Sequence, residues 1–303
     1  MRLVAAYLGI VLIWSTTSLA LKWSAEAGFL AGVVGRMGVA AVGAGLLMIA
    51  IRRTLPLTAR SIELYVAGGV CTFGTLILIC WGARFIPSGW ISVIFGLTPI
   101  LTSILGALFL KEQHLSFAKL GALVLGLAGL AIIFGESGNV GQSAGWGIAA
   151  NLGATLLYAV NLTWIKRLNA NVDSMAAMTG TFYVGLLLGA LAWGVTGGDL
   201  VDDPPVRAMG AVVYLALIGS IVGYTLFYYL LRHMDTTRIA MISLLTPISA
   251  LLVGHFLNGE PLNAAIWSGT ALVLLGLLWF EYTTIVAPAV ALLRRRLRGT
   301  AAG

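Results

Sequence analysis

The chain has 303 residues, 59% of them hydrophobic and only 10% charged. Ordinary globular domains carry about 25% charged residues, so this composition, with a mean hydropathy of +0.98, excludes a soluble protein. The net charge of +7 is not a nucleic-acid footprint, because the basic residues sit at the ends of apolar segments, where membrane topology places them.

A helix that spans a bilayer needs about 20 mostly apolar residues. Ten segments meet that need, at approximately 3–21, 29–51, 62–83, 88–110, 116–135, 144–165, 174–196, 209–231, 237–257 and 262–283. The first begins almost without a basic leader, so it reads as a retained span and not a cleaved signal. On it Trp14, Ser18 and Lys22 lie at i, i+4 and i+8 and share a face, with Ser15 beside them. The second holds Arg36, the only basic residue deep in a span. The third holds Cys71 and Cys80, which cannot bridge from nine residues apart on one helix. The fourth carries Trp90, Ser92, Gly96 and Thr98-Pro99. Glycines at 121, 126 and 129 suit the fifth to close helix packing. On the sixth, Tyr158, Leu162 and Lys166 form a face with Asn161 beside it. The eighth carries Tyr224, with Tyr228 and Tyr229 nearer its end. Pro247 and His255 fall in the ninth, and Glu281 near the end of the tenth.

The chain repeats itself. RFIPSGWISVIFGLTPILTSILGALFLKE at 84–112 is answered by RHMDTTRIAMISLLTPISALLVGHFLNGE at 232–260. Arg84 pairs with Arg232, Thr98-Pro99 with Thr246-Pro247, Glu112 with Glu260, and Gly121 with Gly269. Gly9, Trp14 and Lys22 pair with Gly153, Tyr158 and Lys166 at an offset shorter by four residues. Each half holds five spans, and an odd number turns the second half upside down. Inverted repeats favour two mirror-related packings, one open to each side, the ground plan of a secondary transporter. The expected organisation is a first repeat at 1–140, a second at 141–285 and a basic tail at 286–303. With the N-terminus in the cytoplasm, fourteen basic residues face inward, among them Arg52, Arg53, Lys166, Arg167 and the tail arginines. Lys22, Arg84 and Arg207 alone face outward. Both termini therefore read as cytoplasmic.

YLGIVLIWSTTSLALKW at 7–23, the arginine of VVGRMG at 33–38 and the two TP…E blocks at 94–112 and 242–260 resemble the EamA-type ten-helix members of the drug/metabolite transporter superfamily. The resemblance spans residues 3–283. It implies an all-α polytopic membrane protein, with ten transmembrane helices in two inverted five-helix repeats, in the cell inner membrane. It also implies export of amino acids or other small metabolites, or in some members uptake. The second half departs from the first: MTGTFYVG at 178–185 has no counterpart of Arg36. Sugar-nucleotide carriers are a weaker match, because no lysine cluster for phosphate lies within a span.

The expected cargo site is a central cavity lined by Trp14, Ser15, Ser18, Arg36, Trp90, Tyr158, Asn161 and Tyr224. A charge inside the membrane is expensive and faces protein or water. Arg36 thus has three readings: substrate or gate electrostatics, structural pairing within the bundle, and snorkelling. The aromatic residues read as pocket lining or as interface anchors, and Lys22 and Lys166 as helix-end anchors. The Asn161 amide needs a partner in the bundle or the cavity. Pro99 and Pro247, taken as mid-span, read as hinges or as static kinks, with Thr98 or Thr246 satisfying the freed carbonyl. His255, taken as embedded, and Glu281 are the candidates for proton coupling. Uncoupled export is the first expectation and proton antiport the second. His114, His233 and His255 lack ligand spacing, and a Walker loop is missing. The chain therefore reads as a carrier, not an enzyme, needing no cofactor or metal. Its partners would be the lipid bilayer and a small-molecule substrate, with no nucleic acid and no obligatory protein partner. Amino acids head the cargo list, with a broad-range drug or metabolite exporter as the alternative and a channel as the third reading.

Overall fold

A computed structural model describes residues 2–110, 117–135, 143–168, 170, 172–234 and 236–283. Lys111, Glu112, His114 and the basic tail lie outside the described residues. Every regular element among the described residues is helical. In chain order they are α1 (Arg2–Ser24), continued by a 3-10 turn at Ala25–Ala27, α2 (Phe29–Ala50), α3 (Ala59–Gly82), α4 (Ser88–Phe95) and α5 (Thr98–Phe109). There follow α6 (Phe117–Gly135), α7 (Ala144–Leu168), α8 (Ser174–Thr196) and α9 (Val206–Tyr214). A π-helical segment at Leu215–Val222 then leads into α10 (Gly223–His233), and α11 (Thr236–Asn258) and α12 (Ala264–Glu281) complete the bundle.

Nine stretches among the described residues are long and apolar enough to cross a membrane, and α6 adds a shorter apolar helix. The protein is an all-α polytopic membrane protein. Helices are what this composition dictates, because hydrocarbon leaves each backbone N–H and C=O to be satisfied within its own segment. Large apolar side chains such as Val42, Leu46 and Ile49 on α2 point outward, as a lipid-facing surface requires.

Two spans are not the single helices that their apolar runs predict. The fourth breaks at Gly96–Leu97 into α4 and α5, and the eighth contains the π segment. The repeat-related prolines sit differently as a result. Pro99 is the second residue of α5, where its missing N–H costs no helical hydrogen bond. Pro247 lies inside the continuous α11. The expected threonine rescue does not form. Thr246 donates to the carbonyl of Ile242, one residue before the carbonyl that the Pro247 nitrogen cannot bond. The Thr98 hydroxyl is buried with no partner among the described residues.

Lipid tails are as apolar as leucine, so helix association depends on close approach. Here α6 packs on α12 through glycines that meet backbone to backbone. A Cβ added to Gly129 would lie 2.4 Å from the Gly269 carbonyl oxygen, and one on Gly269 would lie 2.5 Å from that of Gly129. The remaining major packings also join residues before 135 to residues after 143. α3 packs on α7 and α8, α2 on α8, α1 on α11, and α4 on α11. The helix order gives the bundle two faces. One carries the N-terminus. The other carries the ends of α1, α3, α8 and α11 and will be called the Glu260 face.

Candidate functional site

Midway along the bundle, α1 presents Trp14 and Ser18 on one face. The Trp14 ring packs against Phe227 of α10, with ring centroids 5.2 Å apart. Its indole nitrogen lies in van der Waals range of Gly223. The Ser18 hydroxyl is hydrogen-bonded to that of Ser92 on α4. Phe95, one turn further along α4, packs on Tyr158 of α7 with centroids 6.1 Å apart. These contacts form one continuous wall, Phe227–Trp14–Ser18–Ser92–Phe95–Tyr158, crossing four helices.

Arg36, on α2, meets the π segment that precedes α10. Its Nη2 donates to the Ser220 hydroxyl at 3.2 Å, while Nε and Nη1 are buried with no partner among the described residues. Ser220 donates in turn to the carbonyl of Leu215, five residues back. That spacing belongs to the π segment, whose wider turn carries the serine to the guanidinium. Single π turns occur frequently at functional sites. Tyr224 and Cys80 lie close enough to Arg36 to interact with it electrostatically.

The other predicted site residues are placed as follows. Ser15 is buried and donates to Val11 of its own helix at 2.6 Å, so its hydroxyl is already engaged. Trp90 is fully buried with its indole N–H unpaired among the described residues, and Asn161 is buried with its Oδ1 likewise unpaired. Tyr224 lines a cavity of about 290 Å³ on the face that carries the N-terminus, together with Asp173, Met178, Thr225, Tyr229 and His233. His255 is exposed in the last turn of α11, and its Nδ1 meets the Glu260 carbonyl oxygen at 2.7 Å. Glu281 ends α12 with Oε2 buried and unpaired among the described residues.

The Glu260 face is closed by carboxylates of the second half that cap helices of the first. Glu260 is 7% exposed. Its Oε1 accepts from the Ser88 backbone N–H at 2.8 Å and from Asn258 Nδ2 at 3.0 Å. Its Oε2 accepts from the Ser88 hydroxyl at 2.9 Å and from the Gly89 N–H at 3.2 Å. Lys22 Nζ is 3.7 Å from Oε1 and donates to the Ile86 carbonyl at 2.8 Å. Asp199 does the same for α2, accepting from Leu30 N–H at 3.0 Å and Ala31 N–H at 2.8 Å. Arg207 and Glu26 form a bidentate pair at 2.7 and 2.9 Å.

Comparison with known proteins decides the class. The EamA-like transporter family model matches residues 2–135 and again residues 145–282. The chain belongs to the EamA-like transporter family. This EamA-like protein is 28% identical over 213 residues to the inner membrane transporter YedA of Escherichia coli K12, over 68% of each chain. It is 24% identical over 281 residues to a probable terminal-alkyne amino-acid exporter of Streptantibioticus cattleyicolor, covering 91% of this chain and 92% of that one. A solved crystal structure shares the fold with a TM-score of 0.64 at 19% identity, covering 95% of this chain and 99% of that one. The protein is thus a secondary, membrane-embedded small-molecule transporter and not an enzyme.

Four functional-site features of this EamA-like protein escape sequence reasoning. Ser220 is a lone hydroxyl in the run LALIGSIV, and nothing local announces a π turn. Nothing local sets Phe95 and Phe227 apart from the other aromatic residues of the apolar runs. Glu260 carries a signal, its repeat pairing with Glu112, but its capping of α4 is a tertiary fact.

Proposed function

We propose that this transporter exports small amphipathic metabolites that carry a carboxylate, by alternating access between two inverted five-helix repeats. The repeats would be residues 1–140 and 141–285, in the inner membrane with both termini cytoplasmic. Amino acids fall within that cargo range, as one class among broader metabolites. The observation that carries the proposal is Arg36. Two of its nitrogens are buried at membrane depth without a partner among the described residues, and burying a charge unpaired is too costly to persist without a purpose. A cargo carboxylate supplies the missing acceptors in the bidentate geometry a guanidinium favours. The aromatic wall of Trp14, Phe95 and Tyr158 offers the apolar part of the cargo a surface.

The remaining support is architectural. The double family match fits a duplicated carrier. Carboxylate caps that draw the Glu260 face together, opposite a cavity at Tyr224 and Tyr229, fit one of the two end states, here open to the cytoplasm. The name of the Streptantibioticus relative agrees with an amino-acid-like cargo, and that of YedA with the inner membrane.

Counterflow in proteoliposomes tests the reading with a panel of amino acids and small metabolites, each paired with its neutral amide. An Arg36→Gln variant should lose about 10- to 100-fold in kcat/KM for carboxylates, as expected for charge-assisted hydrogen bonds worth about 1.5–3 kcal/mol. The amides should move equally poorly through both proteins. Equal loss for acids and amides would remove Arg36 from cargo recognition.

A further inference from the structure

We propose that the ionised Glu260 carboxylate is the latch that closes its face of the carrier, and that a proton on Glu260 releases α4 and opens that face. The proposal rests on the alternating-access reading above and adds the positioning residue that controls one of its two gates.

The latch is built from both halves. Glu260 follows α11, and three of the four hydrogen bonds that its carboxylate accepts come from Ser88 and Gly89, the first turn of α4. The carboxylate therefore satisfies N–H groups that a helix start leaves open, and its charge suits the positive end of the helix dipole. The socket fits closely. Asn258 holds Oε1 and is itself held by the Trp23 indole N–H of α1 at 3.1 Å. Gly254 leaves the space, since a Cβ there would lie 2.4 Å from Oε2. Glu260 N–H donates to the Gly254 carbonyl at 3.2 Å, and His255 holds the Glu260 carbonyl, so the main chain is fixed as well.

The chemistry of the donors makes the latch sensitive to a proton. Three of the four donors are N–H groups, which can only donate. A proton placed on either oxygen faces at least one of them. The Ser88 hydroxyl alone could turn to accept, and Gly89 N–H, on the same oxygen, would then lose its carboxylate charge. Among the described residues, the titratable groups that meet Glu260 are Lys22 from α1 and, through the main chain, His255 of α11. From α4 only Ser88 and Gly89 meet it, and Arg84, on the turn before α4, is exposed over the Phe85 ring. The hydrogen bond from Lys22 to Ile86 holds the turn that enters α4.

Release of α4 reaches the cargo site directly. α4 is eight residues long, with a turn before it and the Gly96–Leu97 break after it. It can shift as a short rigid piece, and it carries Ser92 and Phe95 of the wall. A proton taken up and returned on the same face gates the carrier without driving it, so this latch needs no relay through the membrane.

The test is a distance measurement on the full-length protein in lipid nanodiscs, with spin labels at Arg84→Cys and Leu257→Cys, both exposed, while Cys71 and Cys80 are buried. As the pH is lowered from about 8 into the acid range, the distance across the Glu260 face should lengthen in the otherwise native protein. Glu260→Gln should show the long distance throughout. Lys22→Met, which leaves the carboxylate in place, should move the opening to higher pH, because removing a nearby cation favours the protonated acid. A distance that ignores pH in the native protein, or stays short in Glu260→Gln, overturns the proposal. Should Glu260→Gln fail to fold, the native titration and the sign of the Lys22→Met shift decide alone. Because no cargo is involved, failure here is distinguishable from failure of the Arg36 reading.

Discussion

At the scale of single residues, the position of Arg36 depends on a contact made two turns away. Gly28 precedes α2 with φ at 110°, a conformation that side chains other than hydrogen rarely tolerate. A Cβ there would also lie 2.2 Å from the Asp199 carbonyl oxygen. The glycine lets the α8–α9 connection approach closely enough for the Asp199 carboxylate to cap α2. Gly28→Ala should therefore destabilise by about 2 kcal/mol or more, combining backbone strain with displaced contacts. Asp199→Ala, which loses only the cap, should cost about 1 kcal/mol. Thermal unfolding in detergent micelles checks both, and the larger loss is expected in the glycine variant. If Gly28→Ala is as stable as the native chain, the close approach is not structurally required. Arg36 itself is legible in the sequence because a lone charge in an apolar run has few explanations. The cap that places it is not legible, because Gly28 and Asp199 are far apart in the chain and meet only on folding.

At the scale of elements, the ten apolar runs locate the helices to within a few residues, since bilayer thickness fixes both length and composition. α8 at Ser174–Thr196 coincides with its expected bounds. The interruptions are harder to read. Pro99 announces a disturbance in the fourth span, but Pro247, in the matching tripeptide, sits in an unbroken helix. Neighbours decide between those outcomes, and local sequence does not. The glycines on α6 are more informative, because small residues at helix spacing have one common use in lipid. Gly129→Ala should push the Gly269 carbonyl away and cost roughly 1–3 kcal/mol, the usual penalty of overpacking. Gly269→Ala should cost a similar amount, and the double variant less than the sum, because both methyl groups act on the same contact. Unfolding midpoints of the three variants test this. Strict additivity would mean that the two glycines do not share an interface.

At the scale of the whole molecule, the two halves are interleaved and not merely apposed. α1, α2, α3, α4 and α6 each make a major packing against a helix of the second half, so opening one face must rearrange contacts that cross the bundle. The Glu260 face is tied across the halves by Glu260, Asp199 and the Glu26–Arg207 pair, while the opposite face holds a cavity at Tyr224 and Thr225. A channel would need both faces open together, and a carrier needs them open in turn. Transport should accordingly saturate, and cargo on the trans side should accelerate it. The same cycle should be visible in the protein itself. Thr225 is exposed in the cavity, so a Thr225→Cys variant should react readily with a membrane-impermeant thiol reagent. Cargo supplied from the opposite side should alter that rate several-fold as it redistributes the two end states, since a ligand shifts a conformational equilibrium only through unequal affinity for its states. Flux that rises linearly with concentration, with labelling indifferent to cargo, would sink the carrier mechanism in favour of a channel.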